Sequence, residues 1–348
     1  MARIVADLQL LRGNVRALAA RCQGLGLRLL PVLKGVDAWL PLAAICHEEG
    51  AGPVAVSSVA QAARLAAAGL PRPVMLGLPP LSQVRDVAAL CCRSVVSSLE
   101  VARALAAQAQ ALRQSHRVLV MMDLGDGREG CRPDEVPALA HAVRQMAHPW
   151  FGLDGVAANF GCLVEAPPSA RSMDDLEKVV CEVGRQTGEA GEVSLGGSVL
   201  LPWLARHALP ACVTELRIGY ALLLGHFMGQ ECGVDGLRRD AFLLAAEVLE
   251  SGDKRTDTEG LRRRIILDVG VLEVSPSRQT PLEQGMRLVG ASSDYLVLDV
   301  HECARRFGTG DEVFFRPEYE SLARAFHSCS VKKPYNVAPH CADGLHCS

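Results

Sequence analysis

The sequence lacks a long hydrophobic run, a strong excess of one charge and any C-x-x-C spacing. No apolar stretch reaches the roughly 18 residues that a membrane-spanning helix requires. The 36 basic and 39 acidic residues leave a formal net charge of −3, so the composition gives no reason to expect a nucleic acid or an anionic membrane as partner. The first residues, MARIVADLQLLRGN, do not have the charged and apolar regions of a signal peptide. We therefore expect a cytoplasmic protein.

The 13 cysteines are scattered along the chain, and only Cys91 and Cys92 are adjacent. In a chain without a signal peptide, this pattern is typical of reduced thiols that serve as small buried apolar side chains. Near the end of the sequence a metal site is an alternative interpretation of four residues, His340, Cys341, His346 and Cys347. Because terminal residues are usually unanchored, we predict instead that residues 331–348 form a disordered tail.

Eight strand-like apolar runs alternate with Ala- and Leu-rich segments of helical spacing. The runs are Leu27–Lys34, Pro53–Ser58, Pro73–Leu78, Ser94–Ser98, Arg117–Leu124, Gly155–Cys162, Glu192–Ser198 and Glu215–Leu224. This alternation predicts parallel strands joined by crossover helices. The number of units favours a (β/α)8 barrel over residues 1–229, and a doubly wound open sheet is the competing architecture.

After the barrel the pattern changes to β-like segments separated by short polar turns. The segments are AFLLAAEVLESGD, RRRIILDVGVLEV, MRLVGASSDYLVLDV and DEVFFRP. We therefore predict a smaller, mostly-β domain over residues 230–330, which ends with a helix at about Pro317–His327.

Polar residues lie at the ends of several predicted barrel strands or directly after them, where the active site of a (β/α)8 barrel lies. They are Lys34, Asp123, Asp126, Arg128, Asn159, Cys162, Ser198, Arg217 and Tyr220. Arg128 also fits a solvated turn residue, and Asp123 and Asp126 also fit caps of the turn that follows them. Arg217 interrupts an apolar strand, where an unpaired charge would be costly, and this favours a functional role for it.

Lys34 ends the first run, LRLLPVLKG, and is followed at once by a glycine. A neutral lysine amine at the mouth of a barrel can attack an aldehyde. The segment LGGS after the seventh run is a turn whose glycines let backbone N–H groups approach an anion such as phosphate. A lysine combined with a phosphate-binding turn predicts pyridoxal 5'-phosphate (PLP) as the cofactor. The alternative is a lysine that extends from the strand end into solvent.

Five segments together resemble a known family in their order and spacing. They are PVLKG, DLGDGREG, GVAANFGC, LGGS and ELRIGYALLLG. They are similar to the alanine-racemase-like, fold-type III PLP enzymes, most of all to the ornithine racemase branch, and the resemblance covers about residues 3 to 330. It implies a barrel followed by a β domain, PLP as the cofactor, amino-acid racemisation and a homodimer.

The resemblance also implies a role for individual residues. Lys34 would bind the cofactor covalently and transfer a proton, and Arg217 would face the pyridine nitrogen. The phosphate would be held by Gly197, Ser198, Gly219 and Tyr220. Arg128 would lie near the substrate carboxylate or the cofactor hydroxyl, and Asn159 stands where alanine racemases have a histidine that flanks the ring.

Racemisation requires a second acid/base on the opposite face of Cα. In alanine racemases a tyrosine of the partner subunit serves this face, but the corresponding segment, EVLESGDKRTDTEGLRRR, contains no tyrosine. Asp294 and Tyr295 are the nearest candidates. A PLP aldolase or decarboxylase of the same fold and a non-catalytic PLP-binding protein therefore remain alternatives.

The resemblance implies ornithine or another basic or polar amino acid as the substrate. Asp37, Glu165 and Asp294 are acidic candidates for binding an ammonium group.

Overall fold

The computed structural model of the chain describes residues 1–163, 167–227, 233–256 and 260–336. The chain divides into two compact units. The barrel unit comprises Arg12–Lys34 and Ala38–Leu237, and the antiparallel unit comprises Met1–Leu11, Gly35–Asp37 and the described residues from Arg238 onward. The predicted domain boundary near residues 229–230 lies outside the described residues.

The elements are as follows in chain order. The strands are β1 (Arg3–Asp7), β2 (Arg28–Pro31), β3 (Ala55–Val56), β4 (Val74–Met75), β5 (Arg93–Val96), β6 (His116–Met122), β7 (Phe151–Asn159), β8 (Glu192–Gly196), β9 (Glu215–Ile218), β10 (Phe242–Thr256), β11 (Gly260–Leu267), β12 (Gln279–Pro281), β13 (Arg287–Ala291), β14 (Leu296–Asp299), β15 (Glu312–Pro317) and β16 (Tyr335–Asn336). The α-helices are α1 (Leu8–Gly24), α2 (Leu40–Glu48), α3 (Val59–Ala67), α4 (Val84–Leu90), α5 (Leu99–Leu112), α6 (Val136–Gln145), α7 (Ala170–Thr187), α8 (Leu200–Leu204), α9 (Tyr220–Leu224) and α10 (Tyr319–His327). Two 3-10 turns, Lys34–Val36 and Leu81–Gln83, complete the set.

The barrel unit contains eight parallel strands in the order β2-β9-β8-β7-β6-β5-β4-β3. The two ends of this order meet in a parallel bridge between Val32 and Ala55, where Leu33 N donates to Ala55 O at 2.9 Å. The predicted (β/α)8 barrel is therefore confirmed, and the doubly wound open sheet is excluded.

Each predicted run overlaps one of these strands, but several predicted ends are wrong. The sixth run was predicted to start at Gly155, whereas β7 starts at Phe151. The eighth run was predicted to extend through Leu224, whereas β9 stops at Ile218 and α9 begins at Tyr220. A short apolar helix and a short buried strand have the same composition, so hydrophobicity alone cannot separate them. The first run was predicted to end at Lys34, which instead starts a 3-10 turn three residues after β2.

Helix α7 shows how the crossover helices follow from the sequence. Ser169 Oγ accepts a hydrogen bond from Ser172 N at 3.1 Å, and Ser169 N donates to Ser172 Oγ at 2.9 Å. This capping box satisfies two N–H groups at the start of the helix, which is worth about 1 kcal/mol. Met173, Leu176 and Val180 repeat at spacings of three and four residues and are buried, so one face of α7 belongs to the core.

The antiparallel unit is built on β10, which pairs with β1, β11 and β15. Its main sheet has the order β12-β15-β10-β11-β14-β13, and α10 follows β15. The predicted mostly-β C-terminal domain with a final helix is therefore confirmed. The pairing of β1 with β10 was not anticipated, because Arg3–Asp7 is more than 230 residues from its partner in the sequence.

The first residues of the predicted tail are attached to this unit. Tyr335–Asn336 forms β16, which runs parallel to β1, and Lys332 N donates to Ala2 O at 3.2 Å. The four residues considered for a metal site, His340, Cys341, His346 and Cys347, lie outside the described residues. None of the described helices has the length and apolar character needed to cross a bilayer.

Candidate active site

Three polar or glycine positions form one row across the C-terminal ends of the barrel strands. The strand register pairs Asn159 of β7 with Gly196 of β8, and Gly196 with Arg217 of β9. Arg217 pairs in turn with Leu30 of β2, the strand that leads to Lys34. Residues far apart in the sequence are thus side by side, as expected at the functional end of a parallel barrel.

Gly196 makes room for the two polar side chains beside it. A Cβ at this position would stand 2.4 Å from Asn159 Oδ1 and 2.7 Å from Arg217 Nη2. Such distances are far below van der Waals contact, so only glycine allows the amide and the guanidinium to come together here. The sequence indicates Gly196 as part of the LGGS turn, but its close approach to Asn159 and Arg217 is visible only in the structure.

Arg217 is buried, with 4% of its surface exposed, and is held by backbone and side-chain acceptors. Its Nη1 donates to Ser194 O at 2.6 Å and to Ser194 Oγ at 2.9 Å, and its Nη2 donates to Ala158 O at 2.7 Å. Burial lowers the pKa of Arg217 to about 10, so the guanidinium remains charged at neutral pH. Its Nε–H donates to no residue in the described part of the chain and is available for another acceptor.

Asn159 joins the row to the loops that follow β6 and β7. Its Nδ2 donates to Asp126 Oδ2 at 3.2 Å and to Cys162 Sγ at 2.8 Å. Asp126 Oδ1 also accepts from the N–H groups of Cys162 and Leu163 at 3.0 and 3.1 Å. Asp123 therefore has the predicted capping role, because its Oδ1 accepts hydrogen bonds from Gly125 N and Gly127 N. Asp126 instead holds the loop that follows β7.

Arg128 lies in the same loop and is paired with acidic groups. It donates to both carboxylate oxygens of Glu129, and its Nε is 3.8 Å from Asp126 Oδ2. Burial lowers the pKa of Arg128, but the hydrogen bond to Glu129 and nearby negative charges together raise it above its usual value. Arg128 is therefore a permanently charged cation on an exposed bend, where Glu129 holds its guanidinium. Its role toward the substrate or cofactor stays a prediction.

The turns after β8 and β9 are joined by a hydrogen bond, because Ser198 Oγ accepts from Ala221 N at 3.0 Å. Gly197 has a φ of +118°, and a Cβ there would stand 2.2 Å from Phe160 O, so this turn requires glycine. The helical hydrogen bonds begin only with Leu200 N to Gly197 O and Leu223 N to Gly219 O. The backbone N–H groups that precede Leu200 and Leu223 in these turns make no helical hydrogen bond, and this leaves donors for an anion.

Two further predicted phosphate-site residues begin α9. Gly219 approaches β2 closely, since a Cβ there would stand 3.1 Å from both the Cβ and the O atom of Val32. The ring of Tyr220 meets the ring of the buried His226 edge to face, with a centroid distance of 5.2 Å. The sequence therefore placed both residues at the correct strand end.

Lys34 is half-buried, and its carbonyl oxygen accepts a hydrogen bond from Gln61 Nε2 at 3.2 Å. Among the described residues, none forms a hydrogen bond or ion pair with its Nζ. The next residue, Gly35, belongs to the antiparallel unit, where a Cβ on it would stand 2.7 Å from the hydroxyl and ring of Tyr319. The sequence gives no direct signal for Tyr319, and the only indication of a bulky group beside Gly35 is the glycine itself.

Asp294 and Tyr295 lie in the turn between β13 and β14 of the antiparallel unit. Tyr295 is 46% exposed, and its N–H donates to Ser292 Oγ at 3.2 Å. Their role as the second acid/base stays a prediction. Among the other acidic candidates, Asp37 lies 3.7 Å from His327 Nε2, and Glu165 is outside the described residues.

The profile of the family described as "Alanine racemase, N-terminal domain" matches residues 6–226. The ornithine racemase of Acetoanaerobium sticklandii is 27% identical over 75% of this chain and 78% of its own. The lysine racemase of Thermotoga maritima is 26% identical over 96% of this chain and 98% of its own. The alanine racemase of a D-cycloserine-producing Streptomyces lavendulae has the same fold, with a TM-score of 0.79, 21% identity and 97% coverage of both chains.

These comparisons confirm the predicted family and the predicted class of enzyme, an amino-acid racemase, and they leave the amino acid open. The family match covers most of the barrel, including the row formed by Asn159, Gly196 and Arg217. The chain therefore belongs to the alanine racemase N-terminal domain family.

Proposed function

We propose that this chain is a PLP-dependent racemase of a basic amino acid, with Lys34 as the residue that binds the cofactor. The observation that carries the proposal is the row of Asn159, Gly196 and Arg217 beside the strand that leads to Lys34. One end of the barrel thus carries the amine of Lys34, the fixed cation of Arg217 and the turn around Ser198, which has unused backbone N–H groups.

The residues at this end of the barrel fit PLP in three ways. Lys34 has an amine without a partner among the described residues, which suits an aldehyde. The Nε–H of Arg217 is an unused donor in a buried setting, which suits a ring nitrogen acceptor. The turns around Ser198 and Gly219 have backbone N–H groups left over for a phosphate. When bound, PLP withdraws electrons from the attached amino acid and so makes its Cα proton easier to remove.

Arg217 would limit this electron withdrawal. A guanidinium donates hydrogen bonds and does not release a proton at neutral pH. It would therefore leave the ring nitrogen of bound PLP unprotonated, and the cofactor would then be a weaker electron acceptor. Return of a proton to Cα would be favoured over transamination.

Lys34 would move the proton at one face of Cα, and racemisation needs a second group at the other face. Asp294 and Tyr295 are the candidates that we retain, and we propose that they act from a second copy of the chain in a homodimer. Arg128, held by Glu129, would neutralise the substrate carboxylate or the cofactor hydroxyl. Asn159 would flank the ring from its position next to Gly196.

A basic substrate is supported by the two relatives that match most of the chain, because one is named for ornithine and the other for lysine. A distal ammonium group requires an acceptor of opposite charge or a ring of carbonyl oxygens. Asp37 and Asp294 are the described candidates for this contact.

Deuterium incorporation tests the proposed function. Purified protein with PLP is incubated in D2O with L-ornithine, L-lysine or L-alanine, and the products are analysed by chiral chromatography and mass spectrometry. We expect the D-enantiomer of a basic amino acid with deuterium at Cα and no other change of mass. Release of carbon dioxide or of an aldehyde would point to a decarboxylase or an aldolase, and bound PLP without deuterium exchange would point to a binding protein.

The matched control for this experiment is a second lysine. K34A should abolish exchange, whereas K178A, which changes a lysine on α7 whose side chain is 75% exposed, should leave it unchanged. Full exchange by K34A would contradict the assignment of Lys34.

A further inference from the structure

Arg217 is linked to a second buried charge, Glu215, through the hydroxyl of Ser194. Glu215 lies two residues before Arg217 on β9, so both side chains are on the same face of the strand. Arg217 Nη1 donates to Ser194 Oγ at 2.9 Å, and Ser194 Oγ donates to Glu215 Oε1 at 2.5 Å. Because a guanidinium has no acceptor, the single hydroxyl proton of Ser194 must point to Glu215.

Glu215 is itself held by Arg93 at the start of β5. Arg93 Nη2 donates to the two carboxylate oxygens of Glu215 at 2.7 and 2.6 Å, and Arg93 Nη1 is 3.7 Å from Asp154 Oδ2. The exposed fractions of Glu215 and Arg93 are 4% and 6%. Burial raises the pKa of Glu215, but the charge of Arg93 and its hydrogen bonds hold that pKa below the usual value. Arg28 Nη2 also lies 3.7 Å from Glu215 Oε2. Glu215 is therefore a carboxylate that pairs with Arg93 and Arg28 and is linked to Arg217 through Ser194.

This arrangement leaves one part of Arg217 uncommitted. Its two terminal nitrogens are bound by Ser194 and Ala158, and its charge is compensated across a hydroxyl by Glu215. A purely structural arginine in a barrel core would be expected to have a carboxylate in direct contact. The indirect link holds the guanidinium in place and leaves Nε–H for a ligand.

We propose that Glu215 and Ser194 are positioning residues, which hold the Arg217 guanidinium in one orientation and in its charged form for the ring nitrogen of PLP. This inference rests on the proposed function. Neither residue needs to contact the cofactor, since both act through Arg217. Without the Ser194 hydroxyl, Arg217 loses one of its fixed acceptors and its link to Glu215. The ring nitrogen then loses a fixed donor that cannot release a proton.

The orientation of Arg217 should affect whether turnover ends in racemisation or in transamination. In racemisation the electron pair and a proton return to Cα. In transamination the proton is added to the cofactor instead, and water then hydrolyses the C=N bond between Cα and the amino nitrogen. The amino acid leaves as its 2-oxo acid, and the cofactor keeps the nitrogen as pyridoxamine phosphate. If the Arg217 guanidinium is no longer held in one orientation, transamination should increase at the expense of racemisation.

The test compares S194A with S94A. Ser94 lies on β5, is as buried as Ser194 at 0% exposure, and its Oγ is 2.9 Å from His116 Nε2. The two variants thus lose the same hydroxyl group in the same barrel, but only S194A breaks the link between Glu215 and Arg217. The dissociation constant for PLP is measured on the apo-protein, and D-amino acid and pyridoxamine phosphate are measured during turnover.

For S194A we expect a dissociation constant about tenfold higher, a kcat for racemisation about 10- to 100-fold lower, and a several-fold larger share of pyridoxamine phosphate. S94A should match the wild type in all three. S194T, which restores a hydroxyl, should recover the wild-type share of pyridoxamine phosphate. E215Q, which removes the charge and keeps the shape, should resemble S194A.

The inference is wrong if S194A and E215Q match S94A in PLP affinity and in the share of pyridoxamine phosphate while PLP is bound to Lys34. Failure of the proposed function has a different signature, because the wild type itself would then not bind PLP at Lys34.

Discussion

Ser198 Oγ accepts a hydrogen bond of 3.0 Å from Ala221 N, and this contact joins the turn after β8 to the start of α9. Both turns have backbone N–H groups that no helix uses. A phosphate bound between them would therefore be held by two strand ends whose spacing Ser198 fixes.

Replacement of Ser198 by alanine should weaken PLP binding. The variant loses a hydroxyl from the turn and the link to Ala221, so we expect a dissociation constant about tenfold higher, measured by titration of the apo-protein. The control is S58A, because Ser58 Oγ also accepts from a backbone N–H, that of Gln61 at 3.3 Å. S58A should cost about 1 kcal/mol of stability as a lost helix cap and leave PLP affinity unchanged. Equal affinities for S198A and the wild type would contradict this role of Ser198.

Replacement of Gly196 by alanine should disrupt the row. The added Cβ would displace Asn159 Oδ1 or Arg217 Nη2, and we expect a loss of roughly 1–3 kcal/mol in the free energy of unfolding together with weaker PLP binding. G13A is the control, since Gly13 lies in α1 with no atom within 4 Å of the new methyl group. It should gain about 0.5–1 kcal/mol. Urea unfolding measures both values, and a G196A variant as stable as the wild type would be inconsistent with close packing of Gly196 against Asn159 and Arg217.

Stability should fall as the pH falls below neutrality because of His116. Burial lowers the pKa of this residue from 6.5 to about 4, while its ring contacts Ser94 Oγ and Cys91 O at 2.9 Å. The unfolded chain takes up a proton below about pH 6.5, whereas the folded chain stays neutral until about pH 4. The unfolded state therefore binds more protons than the folded state in this pH window. A fall in pH from 6.5 to about 4 should lower the free energy of unfolding by roughly 3 kcal/mol.

The check is the pH dependence of urea unfolding between pH 7 and 4.5 for the wild type, H116Q and H141Q. H116Q should reduce the slope, although it also lowers stability at neutral pH. H141Q changes an exposed histidine and should keep the wild-type slope. Identical slopes for all three proteins would show that His116 does not control this pH dependence.

Alkylation of cysteines should reveal where the cofactor binds without an activity assay. Cys162 is exposed and accepts a hydrogen bond from Asn159, whereas Cys181 is exposed on α7. A thiol reagent should label both in the apo-protein, and PLP should slow labelling of Cys162 alone. Burial raises the pKa of Cys46 to about 12, so this thiol should stay unlabelled in the folded protein. Equal labelling of Cys162 with and without PLP would place the cofactor elsewhere.

The barrel could be predicted from the sequence because its strands are short apolar runs separated by amphipathic helices of regular length. The positions of Lys34, Ser198 and Arg217 followed from the rule that parallel strands present chemistry at their C-terminal ends. Strand ends were less accurate, since LLLG after Tyr220 is equally apolar as strand or helix.

Contacts between distant segments could not be predicted in the same way. The pairing of β1 with β10 and the approach of Tyr319 to Gly35 depend on three-dimensional closure, which no local pattern encodes. The sequence indicates Glu215 only as the start of a strand. Its position two residues before Arg217 was visible in the sequence, but its partner Arg93 lies on a strand more than 100 residues earlier.

The central claim is that Lys34 binds PLP, and it can be tested directly by borohydride reduction. The purified wild type is mixed with PLP, reduced, digested and analysed by peptide mass mapping, with K34A treated in parallel. We predict a phosphopyridoxyl group on Lys34 and no comparable adduct in K34A. Absence of the adduct from Lys34, or an equal yield on another lysine in K34A, would contradict the proposed function.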